Sequence, residues 1–256
     1  MFYADFHLHT NYSDGELSIR DLVDLMGRNG MGAIAITDHL CEQKTFLGKS
    51  ARFLAKTLTK DSFPFYMEAI RNEARRAWRE YGMLVVPGVE ITKNSFSHKD
   101  SAHILAIDIH SYIDPDQSIE DIIHQIHSQG GLAIAAHPVS TGVSEHQTYH
   151  LWNNREKYSP LFDAWEVASG NIIFKDVQRS GLPMIANSDL HRPQQIESWK
   201  TMFSVEKDIA AIKQAIINQD LQFSYFRPLE ESTVSSRPRP RGQSTAHWPL
   251  MMPLKV

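Results

Sequence analysis

The chain has 256 residues, 42% hydrophobic and 22% charged, with 12 Phe, 8 Tyr and 5 Trp, which excludes a disordered or fibrous protein. A net charge of -4, from 26 basic and 30 acidic side chains, offers no broad positive surface to long duplex DNA. The single cysteine, Cys41, excludes a disulfide framework and makes a cytoplasmic location the expectation.

In chain order, β-rich runs alternate with amphipathic helical segments, the pattern of βα units around a parallel sheet. The opening MFYADFHLHT lacks the basic-then-apolar order of a secretory leader and reads as a first strand, Tyr3–His9. Ser18 reads as the N-cap of a helix reaching Asn29, with Ile19, Leu22, Val23, Leu25 and Met26 on one face and Gly30 as its stop. Ala33–Thr37, small or β-branched throughout, suits a strand buried on both faces. Residues 41–63 form a polar, Lys-rich connection, and a charged helix then runs from Phe65 to Tyr81 and ends at Gly82. Strands follow at Met83–Val86 and His103–Ile109, then a helix over Ser118–Ser128 and a strand at Leu132–Ala136. Beyond an irregular stretch, 138–160, come strands at Phe162–Val167 and Pro183–Ala186, a helix at Ile209–Asn218 and a last strand at Leu221–Phe226. No run is long enough to span a bilayer, so no membrane partner is expected. The order predicts one (β/α) barrel domain over residues 1–227. Residues 228–256 hold five of the 12 prolines, alternate Arg237, Arg239 and Arg241 with Pro238 and Pro240, and read as an extended tail.

Thirteen histidines stand out from this pattern. In a barrel of this class the chemistry sits where strands end, and nearly every expected strand ends in a metal-ligating group. His7 and His9 are two apart and therefore share one side of the first strand. Asp14 follows in the turn Ser13-Asp14-Gly15, and Asp38-His39 ends the second strand. Glu90 closes Pro87-Gly88-Val89-Glu90, His103 opens the fourth strand, His137 follows Ala135-Ala136, and Asp189 and His191 close Asn187-Ser188-Asp189-Leu190-His191. An apolar strand does not carry an ionisable tip unless that tip is paired or bound. One such histidine is more often a satisfied core residue than a ligand; six strand ends together point to a bound group. Six histidines and three carboxylates, with no thiolate, suit divalent Mn, Fe, Zn or Mg. Nine donors exceed the needs of one ion, and a shared carboxylate leaves room for two or three.

The motifs DFHLHTNYSDG, ITDH, PGVE, AHP and NSDLH, in this order from residue 3 to about residue 200, resemble the PHP (polymerase and histidinol phosphatase) family of metal-dependent phosphoesterases. The resemblance implies a distorted (β/α)7 TIM-like barrel with a trinuclear metal site. It implies one ion at His7, His9, Glu90 and Asp189. Glu90 would bridge to a second ion at His103 and His137, and Asp14, His39 and His191 would hold the third. Glu90, Asp189 and His191 are the expected catalytic residues. Several relatives carry histidine where this chain has Asp14, and the aspartate is similar to the nucleotide-phosphatase and exonuclease branch. That branch usually carries a lid insertion between the positions of His103 and His137, whereas the extra length here lies at 41–63. The branch's substrate is therefore not carried over.

The expected activity is attack of a metal-bridging hydroxide on a small phosphomonoester, nucleotide or short oligonucleotide end; no GxSxG elbow offers a side-chain nucleophile. Phe46, Lys49, Arg52, Lys56 and Lys60 are expected to overhang the site and contact substrate, against the alternative of a solvated connection. Arg192 reads as a forked phosphate donor or, equally, a structural ion-pair partner. Asp38 orients a ligand or caps a turn. His124 and His127 read as helix surface, and His146 and His150 as a proton donor to the leaving group or plain surface. Trp165 and Glu166 read as packing plus a buried acid, and Cys41 as inert. Two other classes stay open. One is an amidohydrolase-like metallohydrolase, whose bridging group is usually a strand-end lysine; no expected strand here ends in Lys. The other is a non-catalytic metal-binding module acting through the tail.

Overall fold

The computed structural model describes residues 1–44, 56–95, 100–139 and 148–228. Among these residues, eleven strands form one curled sheet: β1 Phe2–Asp5, β2 Ala33–Ile36, β3 His39–Cys41, β4 Leu84–Lys93, β5 Ala102–Ile107, β6 Leu132–Ala135, β7 Ala164–Ser169, β8 Ile172–Ile173, β9 Met184–Asn187, β10 Ser198–Phe203 and β11 Gln222–Phe226. Helices α1 Ile19–Arg28, α2 Phe63–Tyr81, α3 Ile119–Ser128, α4 Tyr149–Asn153, α5 Arg155–Tyr158, α6 Lys175–Gln178 and α7 Ile209–Asn218 connect them.

The main helices form where local chemistry directs. At α1 the Ser18 hydroxyl accepts from the Asp21 N–H, and Ile19, Leu22, Val23 and Met26 face the core. At α3 Ser118 and Asp121 repeat the cap, with Ile119, Ile122, Ile123 and Ile126 inward. Helix α2 starts two residues before the expected Phe65, because Pro64 suits the first turn. Gly82 closes it with φ 60°, a conformation that penalises a Cβ.

The fold is mixed α/β with a curled sheet, in keeping with the expected class, but the sheet does not close into the expected distorted (β/α)7 TIM-like barrel. Its path, β11-β10-β1-β2-β4-β5-β6-β7-β8, is open, with β3 paired to β4 and β9 to β7. The pairs β1–β2, β2–β4, β3–β4, β6–β7 and β7–β9 are parallel. The pairs β4–β5, β5–β6, β7–β8, β1–β10 and β10–β11 are antiparallel. Residues 94–101 are too few for a crossover helix, so β5 must run back against β4. Between the segments following β1 and β9 there is only an isolated bridge, Leu8 with Leu190. Side chains take the place of a ladder at this seam: Asn187 Oδ1 accepts from the Phe6 N–H at 2.9 Å, and Asp5 Oδ1 accepts from the Ser188 N–H at 3.0 Å.

Strand parity divides the core in two. Ile34 and Ile36 pack toward the outer helices with Leu22, Met26, Tyr66 and Ile70. Ala33 and Ala35 face the opposite cluster, where Phe6, Leu105, Ile134 and Phe203 meet Ile212 and Ile216 of α7. Among the described residues, no helix is long and apolar enough to cross a membrane. The expected tail beyond Pro228 lies outside the described residues.

Candidate metal centre

All nine residues singled out at the expected strand ends come together at one end of the sheet. Four overlapping groups have ligand atoms within 4.8 Å of one another: His9, Asp14, His39 and His191; His7, His137 and Asp189; His7, His9 and Glu90; and Glu90, His103 and His137. Glu90 lies in their midst. Its Oε2 is 2.8 Å from His39 Nδ1 and 3.4 Å from Nε2 of both His7 and His9. Its Oε1 is 2.7 Å from His103 Nδ1 and 3.2 Å from His137 Nε2. Asp189 Oδ1 lies 3.2 Å from Nε2 of both His7 and His9. Asp14 Oδ1 is 3.2 Å from His191 Nε2 and 3.5 Å from His39 Nε2.

The topology explains how each side chain arrives. His7 and His9 continue β1 past its ladder, pinned when the His9 N–H donates to Leu190 O at 2.9 Å. His39 and Glu90 are register partners in parallel β3 and β4. His103 is the second residue of β5, and because β5 is antiparallel, it lies beside the far end of β4, opposite Thr92. His137 and Asp189 adopt left-handed backbone, with φ 25° and 54°. Such conformations cost roughly 1–3 kcal/mol and collect at functional sites. Gly15 closes the Asp14 turn so tightly that a Cβ would collide with the His9 carbonyl.

Partners behind the ligands set which nitrogen faces inward. His7 Nδ1 donates to Glu166 Oε1 at 2.9 Å, and His137 Nδ1 lies 3.2 Å from Thr148 Oγ1, leaving Nε2 inward in both. His103 is turned the other way, with Nε2 donating to Asn94 Oδ1 at 3.0 Å. His39 Nδ1 is 2.9 Å from Thr92 Oγ1. Asp38 faces away from the cluster: it accepts from the Thr10 N–H, the Thr10 hydroxyl and the Ser13 hydroxyl, and so anchors the turn bearing Asp14. Thr92, Asn94 and Thr148 escape the sequence reading. For two of them a signal existed, since Glu90, Thr92 and Asn94 alternate along one strand side.

Charge is distributed unevenly. Burial, aided by the neighbouring His191 and His39, pushes His9 down to about 3, so its ring is neutral at pH 7. Burial likewise takes His103 down to about 4 against the pull of Glu90. For His191 burial is outweighed by the hydrogen bond to Asp14 and the charge of Asp189, which raise it to about 9. Burial opposes ionisation of Glu90, yet His39, His103 and His7 hold it well below the usual carboxylate range.

A divalent cation fits this donor set on direct structural grounds. Among the described residues, the buried side-chain nitrogens and oxygens without a hydrogen bond are His7 Nε2, His9 Nδ1, His9 Nε2, Glu90 Oε2 and Trp165 Nε1. Four of these five belong to the cluster. An unsatisfied buried polar atom costs about 1–3 kcal/mol, a cost that a ligated cation removes.

Residues 5–173 match the PHP domain family. The chain belongs to that family. An uncharacterized protein of Methanocaldococcus jannaschii is 28% identical over 148 residues, covering 54% of this chain and 68% of that protein. A solved two-domain Bacteroides vulgatus protein, described as containing a predicted PHP-like metal-dependent phosphoesterase, superposes with a TM-score of 0.64 at 22% identity over 88% of this chain. This chain spans 64% of that protein's length, and at this identity the likeness is one of fold. An amidohydrolase from Chromobacterium violaceum, solved with sulfate and no metal, matches 74% of this chain and 88% of its own at 18% identity with a TM-score of 0.48.

The remaining candidates of the PHP domain divide. Arg192 is exposed directly after His191, with its N–H donating to Gln195 Oε1 at 2.7 Å. Phe46, Lys49, Arg52 and His146 lie outside the described residues, and Lys56 is exposed. His124 is exposed, His127 pairs with Asp163 at 2.9 Å and His150 lies 3.4 Å from the Tyr158 hydroxyl, so none of the three joins the cluster. Cys41 is buried and its thiol is pushed up to about 11, which leaves no thiolate at neutral pH. The expectation that no strand ends in lysine needs correcting: β4 runs on through Pro87-Gly88 to Lys93. That ammonium donates to Pro115 O and Gln117 O at 2.8 and 2.9 Å, away from the cluster.

Proposed function

We propose that this PHP-domain protein is a metal-dependent phosphoesterase acting on a small phosphomonoester, nucleotide or short oligonucleotide end. The observation that carries this reading is the Glu90 carboxylate, whose two oxygens face different histidines: His103 and His137 on one side, His7, His9 and His39 on the other. Glu90 is thereby suited to serve two ions at once. His7, His9 and Asp189 would complete one set, His103 and His137 a second, and Asp14, His39 and His191 a third. Divalent ions held there would supply positive charge for phosphoryl oxygens and acidify water at neutral pH.

The chain's own residues then have distinct tasks. His9 offers a neutral ring at pH 7, because burial keeps protons off it. Asp14 and His191 are partly open to solvent and lie where a phosphate would enter. Arg192 is adjacent to that opening and is proposed to fork onto phosphate oxygens; from the connection after β3, Arg52 is proposed to do the same and Lys49 to add a point charge. The net charge of -4 favours a small substrate over an extended duplex. Glu90 rather than a lysine between the ligands speaks for phosphoester over amidohydrolase chemistry.

The test is a panel of phosphomonoesters, nucleotides, oligonucleotides and cyclic amides, run on chelator-treated protein reloaded with Mn, Fe, Zn or Mg. Metal-dependent release of phosphate or nucleotide is expected. Amide cleavage without phosphoester cleavage would assign the amidohydrolase class, and metal binding without turnover on any substrate would assign a binding module.

A further inference from the structure

One buried acid lies behind the candidate ligands. Glu166 is on β7 at a bulge, where the register with β9 shifts between Glu166 and Ala168, and bulges re-aim side chains. It is wholly buried. Its Oε1 accepts from His7 Nδ1 and from Asn187 Nδ2, each at 2.9 Å. Its Oε2 accepts from the backbone N–H of His137 at 2.7 Å. Asn187 in turn accepts from the Phe6 N–H at the sheet's open seam. A single carboxylate thus ties together β1, β6 and β9, the three strands that lead to His7, His137 and Asp189.

We propose that Glu166 is a positioning residue for the pocket formed by His7, His137 and Asp189, holding the His7 ring with Nε2 inward and the His137 backbone in its left-handed turn. This rests on the metal-binding reading above and names a residue outside the nine ligands. A second buried carboxylate nearby shows what a purely structural acid looks like. Asp5 pairs with Lys200 at 2.6 Å and accepts from the Ser188 hydroxyl at 2.6 Å, touching no ligand ring. Among the described residues, the only ion-pair partner of Glu166 is His7. Two of its three hydrogen-bond donors belong to candidate ligands. Such carboxylate–histidine–metal arrangements fix ring orientation and raise ligand basicity, and losing the outer partner weakens metal binding about 10–100-fold.

The experiment compares wild type, Glu166→Gln and Glu166→Asp as full chains freed of metal by chelator. Each is titrated with Mn(II) by calorimetry and with Co(II) by visible absorption, alongside a thermal melt. Glutamine keeps the size but turns one acceptor into a donor, so either His7 or His137 loses its partner. Expected is a 10–100-fold weaker binding of one ion with an altered cobalt spectrum, while an ion at Asp14, His39 and His191 keeps wild-type affinity. A folded Glu166→Gln chain that binds every ion as wild type does overturns the proposal, and so does uniform weakening of all ions. If Glu166→Gln does not fold, Glu166→Asp carries the same comparison, since its shorter carboxylate cannot reach both His7 and His137. Failure of the wild-type chain to bind any ion overturns the metal reading itself, and this proposal with it.

Discussion

The floor of the candidate metal centre and its mouth are built differently. On the floor, the His7, His9 and Glu90 side chains are at most 1% exposed and held by strand register or its continuation, and they carry four of the five unsatisfied buried nitrogens and oxygens among the described residues. At the mouth, the Asp14, His39 and His191 side chains are 29%, 16% and 26% exposed. Two of these sit on turns: Asp38 anchors the Asp14 turn, and Gln195 Oε1 accepts the His191 N–H at 2.8 Å. Buried donors cannot turn to water, so the floor is suited to a bound cation. The mouth's donors can be solvated, so a cation or phosphate bound there would exchange more readily.

The sharpest way to break this contrast is Glu90→Gln. It should abolish phosphoesterase activity almost completely and remove two ions together, read by elemental analysis and turnover. Recovery of activity in excess Mn would deny Glu90 the bridging position. Next in size is Lys200→Met, which strands Asp5 beneath the floor without its cation. Breaking a buried pair from one side costs about 3–5 kcal/mol, measurable by urea unfolding; an unchanged midpoint would mean the floor does not rely on that pair.

Asp14→Ala should weaken only the mouth, giving a loss of activity that added Mn restores. If Mn restored Glu90→Gln more readily than Asp14→Ala, floor and mouth would have to be exchanged. Protonation sharpens the contrast further. With His191 raised to about 9, its ring is protonated at pH 7, so loading the mouth must expel that proton and affinity must rise with pH up to about 9. Calorimetry in buffers of different ionisation enthalpy measures the release, and zero protons per ion would contradict it. The smallest effect is expected from Arg192→Ala: a several-fold higher KM for a nucleotide, with kcat held, and little change for a small artificial phosphoester. Equal changes for both substrates would take Arg192 out of the binding surface.

Much of this was legible along the chain because it rests on short-range rules. The caps at Ser18 and Ser118, the apolar stripes of α1 and α3, and the stop at Gly82 depend on residues within one or two turns. The nine donors were visible for a related reason: an ionisable group at the end of an apolar run is anomalous wherever the run goes. Glu166 was equally visible as an acid within Ala-Trp-Glu-Val-Ala, but nothing local shows that it faces His7, 159 residues earlier.

Tertiary structure decided the rest. Strand β10 was not anticipated, because Ser-Trp-Lys-Thr-Met-Phe carries a charge that only Asp5, from β1, makes compatible with complete burial. The direction of β5 puts His103 beside Glu90, and it follows from a connection too short for a crossover rather than from any property of His103 itself. Asp38 offered two roles that its neighbours could not separate; the approach of Thr10 and Ser13 made it the anchor of the Asp14 turn. Sequence alone determined which side chains could ligate and which segments would be helices, since those are local properties of charge, hydrophobicity and capping. Which donors share an ion's space, and which nitrogen each presents, depends on pairings that range from 9 positions apart, His103 with Asn94, to 159, His7 with Glu166, and only the folded sheet brings those together.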